Sequence, residues 1–217
     1  MKKVIFFDFD GTIVDSAPGI KASVKYALLH FGIDEQREEI LNLFIGPPLF
    51  DAFSEHYGMN KEDADTAVEK YRENYNGNGA MKNFIVYDGV EKMLKTLSKD
   101  FTLCIASAKP TPYIKAMLDS VDLSKYFYHI NGASFDESKR TKSAVIKETI
   151  EINGFNKDEI LMVGDRENDV TGAIKNGIDI LGVLYGYGDE KELRDAGCEI
   201  IAKTPDEVTD IITRPVI

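Results

Sequence analysis

Asp8 and Asp10 stand one residue apart at the end of the apolar run Val4-Ile5-Phe6-Phe7, and Gly11, Thr12 and then Asp15 follow them. Two carboxylates this close raise one another's pKa, and burial at a strand end raises both. Aspartates that accept this cost can serve as metal ligands, as a nucleophile, or as a proton donor whose pKa must be high. The competing reading is a surface turn after a strand, where Asp and Gly are ordinary residues.

Three more polar clusters end apolar runs. Ser107-Ala108-Lys109-Pro110 follows Leu103–Ala106. The hydroxyl of Ser107 and the free N–H groups beside it could hold an anion, or the serine could simply cap a helix, with Pro110 suited to its first turn. Lys142 precedes an amphipathic stretch. The helix dipole disfavours a cation there unless it has an anionic partner; the alternative is a solvated basic run shared with Lys139 and Arg140. Asp165 follows Ile160–Gly164, and Asp169 lies four residues on, near the start of the next helix. An acidic turn that suits the helix dipole accounts for Asp169 better than for Asp165.

The elements that must carry these residues follow from periodicity. Short apolar runs recur at 4–7, 103–106, 160–164, 178–184 and 199–202, with amphipathic helical patterns at 90–97, 112–121, 143–152, 170–176 and 206–212. This alternation predicts an α/β fold, a doubly wound parallel sheet of Rossmann-like type covered on both faces. Ligands in such sheets lie beyond the carboxyl ends of the strands, where all four clusters fall. Residues 17–80 break the rhythm with helix after helix, bordered by the loop-forming DSAPG (15–19) and NGNGA (76–80). The expected organisation is a core of residues 1–16 and 81–217 carrying a helical cap of residues 17–80.

Composition narrows the functional classes. The 217 residues are 43% hydrophobic and 10% aromatic, enough for a substantial core, and the net charge is −11. That balance argues against nucleic-acid polymers and anionic membranes as partners, since both require basic patches. The apolar run near the N-terminus stops at Asp8, and no later stretch reaches the roughly 18 apolar residues of a span, so neither a signal peptide nor a membrane helix is expected. Cys104 and Cys198 lack metal-ligand spacing and fit reduced thiols in the cytoplasm. Nothing in the sequence speaks to oligomeric state.

Together, DFDGTIVDS, the strand-end Ser107, Lys142 and GDRENDV resemble the haloacid dehalogenase-like hydrolase superfamily, with the helical insert where a type 1 cap belongs. PGI, IGPPL, the Ser-x-Lys-Pro turn, GDRxxD and GVLYGYG bring the chain closest to phosphoglycolate phosphatases and bacterial 5′-nucleotidase-like proteins. The resemblance implies an aspartyl-phosphate mechanism. Asp8 is then the nucleophile and Asp10 the acid–base group, the neighbouring carboxylates supplying the upward pKa push that this second role needs. Asp8, the main-chain carbonyl of Asp10 and Asp165 would hold Mg²⁺, with Asp169 mainly behind them. Ser107, Ala108 and Lys142 would bind the phosphoryl oxygens, and Gly11 and Thr12 support the motif. Ala108 stands where relatives commonly carry a polar residue, so a reduced phosphate contact is expected there. Lys139 is a lesser candidate for the lysine role.

Asp10 points away from dehalogenation, which has no alcohol to protonate. A phosphonatase would need a Schiff-base lysine in the cap, where Lys21 and Lys25 are the candidates. A phosphohexose mutase needs a cap cation facing the site. Gly46-Pro47-Pro48-Leu49 has none, leaving Lys25, Arg37 or Arg72. The expected function is therefore a Mg²⁺-dependent phosphatase of small phosphorylated metabolites, phosphoglycolate or nucleoside 5′-monophosphates leading. A mutase and a non-catalytic regulatory binding protein are the alternatives. Phe44, Leu49 and Phe53 could line an apolar floor for the leaving group or form cap core.

Overall fold

Val4–Phe7 are fully or almost fully buried, and in the computed structural model, which describes residues 2–134 and 141–214, they form the central strand β1. The sheet has six strands in the order β5-β4-β1-β6-β7-β8, all paired in parallel. These are β4 (Thr102–Pro110), β5 (His129–Ala133), β6 (Ile160–Gly164), β7 (Asp179–Val183) and β8 (Ile200–Ala202). Register aligns Phe7 with Ile105 on one side and with Val163 on the other. Asp8 therefore lies one residue, and Ser107 and Asp165 two residues, past that level, all at the carboxyl edge of the sheet. Strand order reverses at β1, the position where open α/β sheets bind ligands.

The helices follow the expected rhythm. α5 (Val90–Leu97) buries Val90, Met93, Leu94 and Leu97 at helical spacing, as its apolar stripe requires. α6 (Thr111–Ser120), α7 (Lys142–Asn153), α8 (Glu167–Asn176), α9 (Glu190–Asp195) and α10 (Pro205–Thr213) complete the core. Val4 and Phe6 pack with Val145, Ile146, Ile150, Met162 and Ala173 into one apolar layer, which seats α7 and α8 behind the central strands. Pro110 lies not in a first helical turn but at the end of β4; Thr111 begins α6, and Pro112 occupies its first turn. β5 and α9 were not foreseen from periodicity.

The chain divides into two compact units, residues 1–15 with 86–217, and residues 16–85. Two-residue strands β2 (Val14–Asp15) and β3 (Ile85–Val86) stand where the chain leaves and rejoins the core. The helical unit runs to Ile85, past the limit of residue 80 suggested by its loop residues. The short 3₁₀ turn Ala80–Lys82 packs against α1 (Ala17–His30), where a Cβ on Gly19 would come 2.4 Å from the Ala80 carbonyl. This unit also contains α2 (Glu38–Asn42), α3 (Leu49–Tyr57) and α4 (Lys61–Arg72), the last capped by Asn60, whose side chain accepts from Asp63 N at 3.0 Å. Phe44 and Phe53 are buried with ring centroids 4.9 Å apart, which makes them core of this unit rather than an open floor; Leu49 is half-buried. Lys21 pairs with Glu38 at 2.7 Å, and Arg37 pairs with Glu35 at 2.6 Å. No helix among the described residues is long and apolar enough to cross a membrane.

Candidate active site

β1 ends in a single tight turn. Ile13 N and Val14 N both donate to Phe9 O, and Gly11 N donates to Val14 O at 2.8 Å. Gly11 has φ +85°, and a Cβ there would lie 2.1 Å from Asp165 Oδ2, so the turn needs glycine both for its backbone conformation and for its close approach. The turn delivers Asp8 at the strand end and sends the Thr12 hydroxyl to donate to Asp165 Oδ1 at 2.9 Å.

Asp165 is fully buried and its two oxygens are held from different sides. The second, Oδ2, accepts from Tyr187 N at 2.9 Å, in the loop that follows β7. Asp169, in the first turn of α8, is also fully buried, and its Oδ2 accepts from Arg166 N at 3.1 Å. Carboxylate oxygens of Asp8, Asp165 and Asp169 all lie within 4.8 Å of one another. Burial, and then the charges of Asp169 and Asp8, push Asp165 up to about 8. Burial and Asp8 raise Asp169 to about 6, against the pull of Lys142. The crowding of carboxylates thus acts on these two residues.

Lys142 is the first residue of α7, buried and facing the triad. Its Nζ touches Asp8 Oδ1 and lies 2.8 Å from Asp169 Oδ1. Burial alone would lower its pKa, but the Asp169 and Asp8 carboxylates outweigh it and raise the pKa. These are ion pairs without hydrogen-bond alignment: Lys142 Nζ, Asp8 Oδ1 and Asp169 Oδ1 are sealed from solvent yet have no hydrogen-bond partner. Lys142 is therefore no member of a solvated run; Lys139 lies outside the described residues.

Ser107 is 2% exposed and ends the regular part of β4. The pairing of β4 with β5 shifts register between Ser107 and Pro110, a bulge of the kind that re-aims side chains beside sites. Ala108, within the bulge, is half-buried and keeps its backbone N–H. The bulge brings in a residue the sequence left without a role. Lys109, its side chain 6% exposed, puts Nζ 3.1 Å from both oxygens of Asp10. Asp10 thus stands outside the carboxylate triad, facing its own cation.

The donor set fits a hard divalent cation. Three buried carboxylates converge, two with oxygens that accept no hydrogen bond, and oxygen ligands of this kind suit Mg²⁺. A cation there would also offset the mutual repulsion that holds Asp165 and Asp169 above the usual carboxylate range. The glycines of the loop after β7 belong to the same construction: a Cβ on Gly186 would meet Gly11 O at 2.2 Å and Asp165 Oδ2 at 2.5 Å. Their clue in the sequence was the GVLYGYG run, which held no titratable side chain in the carboxylate range.

Known proteins share this plan. A family model described as haloacid dehalogenase-like hydrolase matches residues 5–183. A Pseudomonas aeruginosa protein named 5′-nucleotidase is 37% identical over 191 residues, 88% of this chain and 86% of that protein. A Mycobacterium tuberculosis protein named tyrosine-protein kinase PtkA is 30% identical over 97% of this chain and 72% of its own. Further relatives, 24% to 29% identical, carry the name phosphoglycolate phosphatase. Among solved structures, a predicted phosphatase from Clostridium acetobutylicum is 40% identical and superposes with a TM-score of 0.91 over 98% of each chain.

Proposed function

The chain belongs to the haloacid dehalogenase-like hydrolase family, and on that premise we propose that it is a Mg²⁺-dependent phosphatase of small phosphomonoesters acting through an aspartyl-phosphate. One observation carries this reading: three converging buried carboxylates face a buried lysine at the reversal point of the sheet.

Asp8 attacks phosphorus in line. Its oxygen forms the new P–O bond as the ester P–O bond breaks, and Asp10 gives its proton to the departing alkoxide. Asp10 then takes a proton from the water that attacks the same phosphorus, which releases phosphate and frees Asp8. The Lys109 ammonium, 3.1 Å from both Asp10 oxygens, orients this carboxyl between the two steps. Lys142, the Ser107 hydroxyl and the Ala108 N–H hold the phosphoryl oxygens, where positioning and charge stabilisation supply most of the rate. Mg²⁺ would be held by Asp8, Asp165 and the Asp10 carbonyl, with Asp169 behind, and would neutralise charge on the transferring group.

Phosphoglycolate and nucleoside 5′-monophosphates are the leading substrates, supported by the names of the relatives. A phosphohexose mutase is less well supported: Lys25 lies 3.9 Å from Glu38, and Arg37 is held by Glu35, so two of the three cap cations open to it already have partners. The pairing of Lys21 with Glu38 likewise weighs against a Schiff-base lysine. A pure binding protein has no use for a proton donor beside a nucleophile. Two unpaired, buried cysteines support a cytoplasmic setting.

Phosphate release from a panel of small esters, with and without Mg²⁺, tests the reading. Mg²⁺-dependent release from phosphoglycolate or a nucleoside monophosphate is expected. No release from any ester, or label passed only to a protein hydroxyl, would overturn it.

A further inference from the structure

The loop after β7 reads Leu184-Tyr185-Gly186-Tyr187-Gly188, and Tyr187 is held at both ends. Its main-chain N–H donates to Asp165 Oδ2 at 2.9 Å, and its phenol donates to Asp15 Oδ1 at 2.8 Å. The same phenol is also hydrogen-bonded to Tyr87, whose ring meets that of Tyr185 edge-on at 5.4 Å. Asp15 is the last residue of β2, where the chain leaves the core.

We propose that Tyr187 is a positioning residue for the metal site, its phenol anchored on Asp15 so that its main-chain N–H holds Asp165 in the ligand orientation. The reasoning is geometric. Asp165 has two hydrogen bonds, one from the Thr12 hydroxyl to Oδ1 and one from this loop to Oδ2. The Thr12 bond comes from the tight turn after β1, which is fixed by its own backbone hydrogen bonds. The Tyr187 bond comes from a loop rich in glycine, whose backbone has little intrinsic preference for one conformation. A bond from the phenol to a charged carboxylate is the strong kind, and it ties the loop to the last residue of the two-residue strand β2. Gly186 is threaded between Gly11 O and Asp165, so a displaced loop would not merely lose a hydrogen bond but shift against the carboxylate itself. Groups that orient a metal ligand from behind set much of its affinity.

The inference rests on the Mg²⁺ reading above, and the experiment separates the two. Calorimetric titration of Mg²⁺ into metal-free protein is compared for wild type and Tyr187→Phe, which keeps the ring and the main-chain N–H but removes the anchor. The dissociation constant should rise about tenfold, the lower end for residues behind a ligand. KM for an ester at saturating Mg²⁺ should stay within about twofold, because the phosphate contacts are untouched. In an Asp15→Asn background the same Tyr187→Phe change should cost less than about threefold, since the charged acceptor is already gone. Equal Mg²⁺ affinity in wild type and Tyr187→Phe overturns the positioning role while leaving the phosphatase reading intact, even if the variant melts lower. Should Tyr187→Phe not fold, unchanged Mg²⁺ affinity in Asp15→Asn, after correction for its lost charge by a salt series, overturns it equally. A wild-type protein that binds no Mg²⁺ removes both.

Discussion

Lys142 Nζ lies 2.8 Å from Asp169 Oδ1, the lysine side chain 5% and the aspartate 1% exposed, and the same Nζ touches Asp8. A cation at the first turn of a helix opposes the helix dipole, so its place in α7 is explained by its partners, not by the helix. It is the one described cation inside a group of three buried carboxylates, and its removal leaves their charge uncompensated.

Lys142→Met should therefore act on both stability and turnover. Breaking a buried pair by removing one partner costs about 3–5 kcal/mol. Denaturant melts of metal-free protein should show that loss at pH 8, shrinking toward pH 6 as the carboxylates take up protons. Turnover at saturating Mg²⁺ should fall roughly 10²–10³-fold, the loss expected for a group that stabilises charge in the transition state. Wild-type stability at pH 8 would mean that the ion pairs contribute nothing.

The pH dependence of stability follows from Asp165 and Asp169, held at about 8 and about 6 against an ordinary 3.8. Between those limits the folded protein retains protons that the unfolded chain has released, so these residues make stability fall as pH rises. Their destabilising effect is absent below pH 4 and complete above pH 8. Asp165→Asn should melt increasingly higher than wild type as metal-free samples go from pH 6 to pH 8, and saturating Mg²⁺ should erase that difference. A gap that is constant with pH would contradict the assignment.

Asp10→Asn tests the proton donor. Alkyl phosphates, whose leaving groups need a proton, should lose far more turnover than p-nitrophenyl phosphate, whose nitrophenolate leaves unaided. A difference of roughly 10²-fold between the two losses is expected from general acid catalysis. Equal losses on both esters would instead make Asp10 a structural partner of Lys109.

Gly186→Ala places a Cβ 2.2 Å from Gly11 O and 2.5 Å from Asp165 Oδ2. The strain does not come from backbone conformation, since Gly186 is not among the positive-φ glycines. The carbonyl cannot yield without opening the turn after β1. Mg²⁺ affinity should drop by at least about tenfold, with a melting temperature several degrees lower, as about 1 kcal/mol or more of overpacking predicts. Unchanged affinity in calorimetry would show that the loop relaxes away from Asp165.

The parallel sheet and its five strongest strands were legible because strands buried on both faces must be continuously apolar, and three of those runs ended in residues too polar for their surroundings. That contrast marked Asp8, Asp10, Ser107 and Asp165 before any geometry was known, and a cation ahead of a helix marked Lys142. β5 escaped because its buried residues include Asn131 and Gly132. Asn131 is satisfied by α7, donating to Thr149 Oγ1 and Glu148 Oε2, and Gly132 leaves room for the bulge of β4. Period and composition cannot register a polar residue whose partner lies 17 or 18 positions away. The same holds for Lys109 and Tyr187. Their local sequence allows a solvated lysine and an ordinary loop tyrosine, and only the meeting of β4 with the turn after β1, and of the loop after β7 with Asp15, assigns their partners. Residue types along the chain determined which charges would crowd one edge of the sheet; which of those charges would be paired, and which left facing an ion, was decided by the sheet order that brought distant strand ends together.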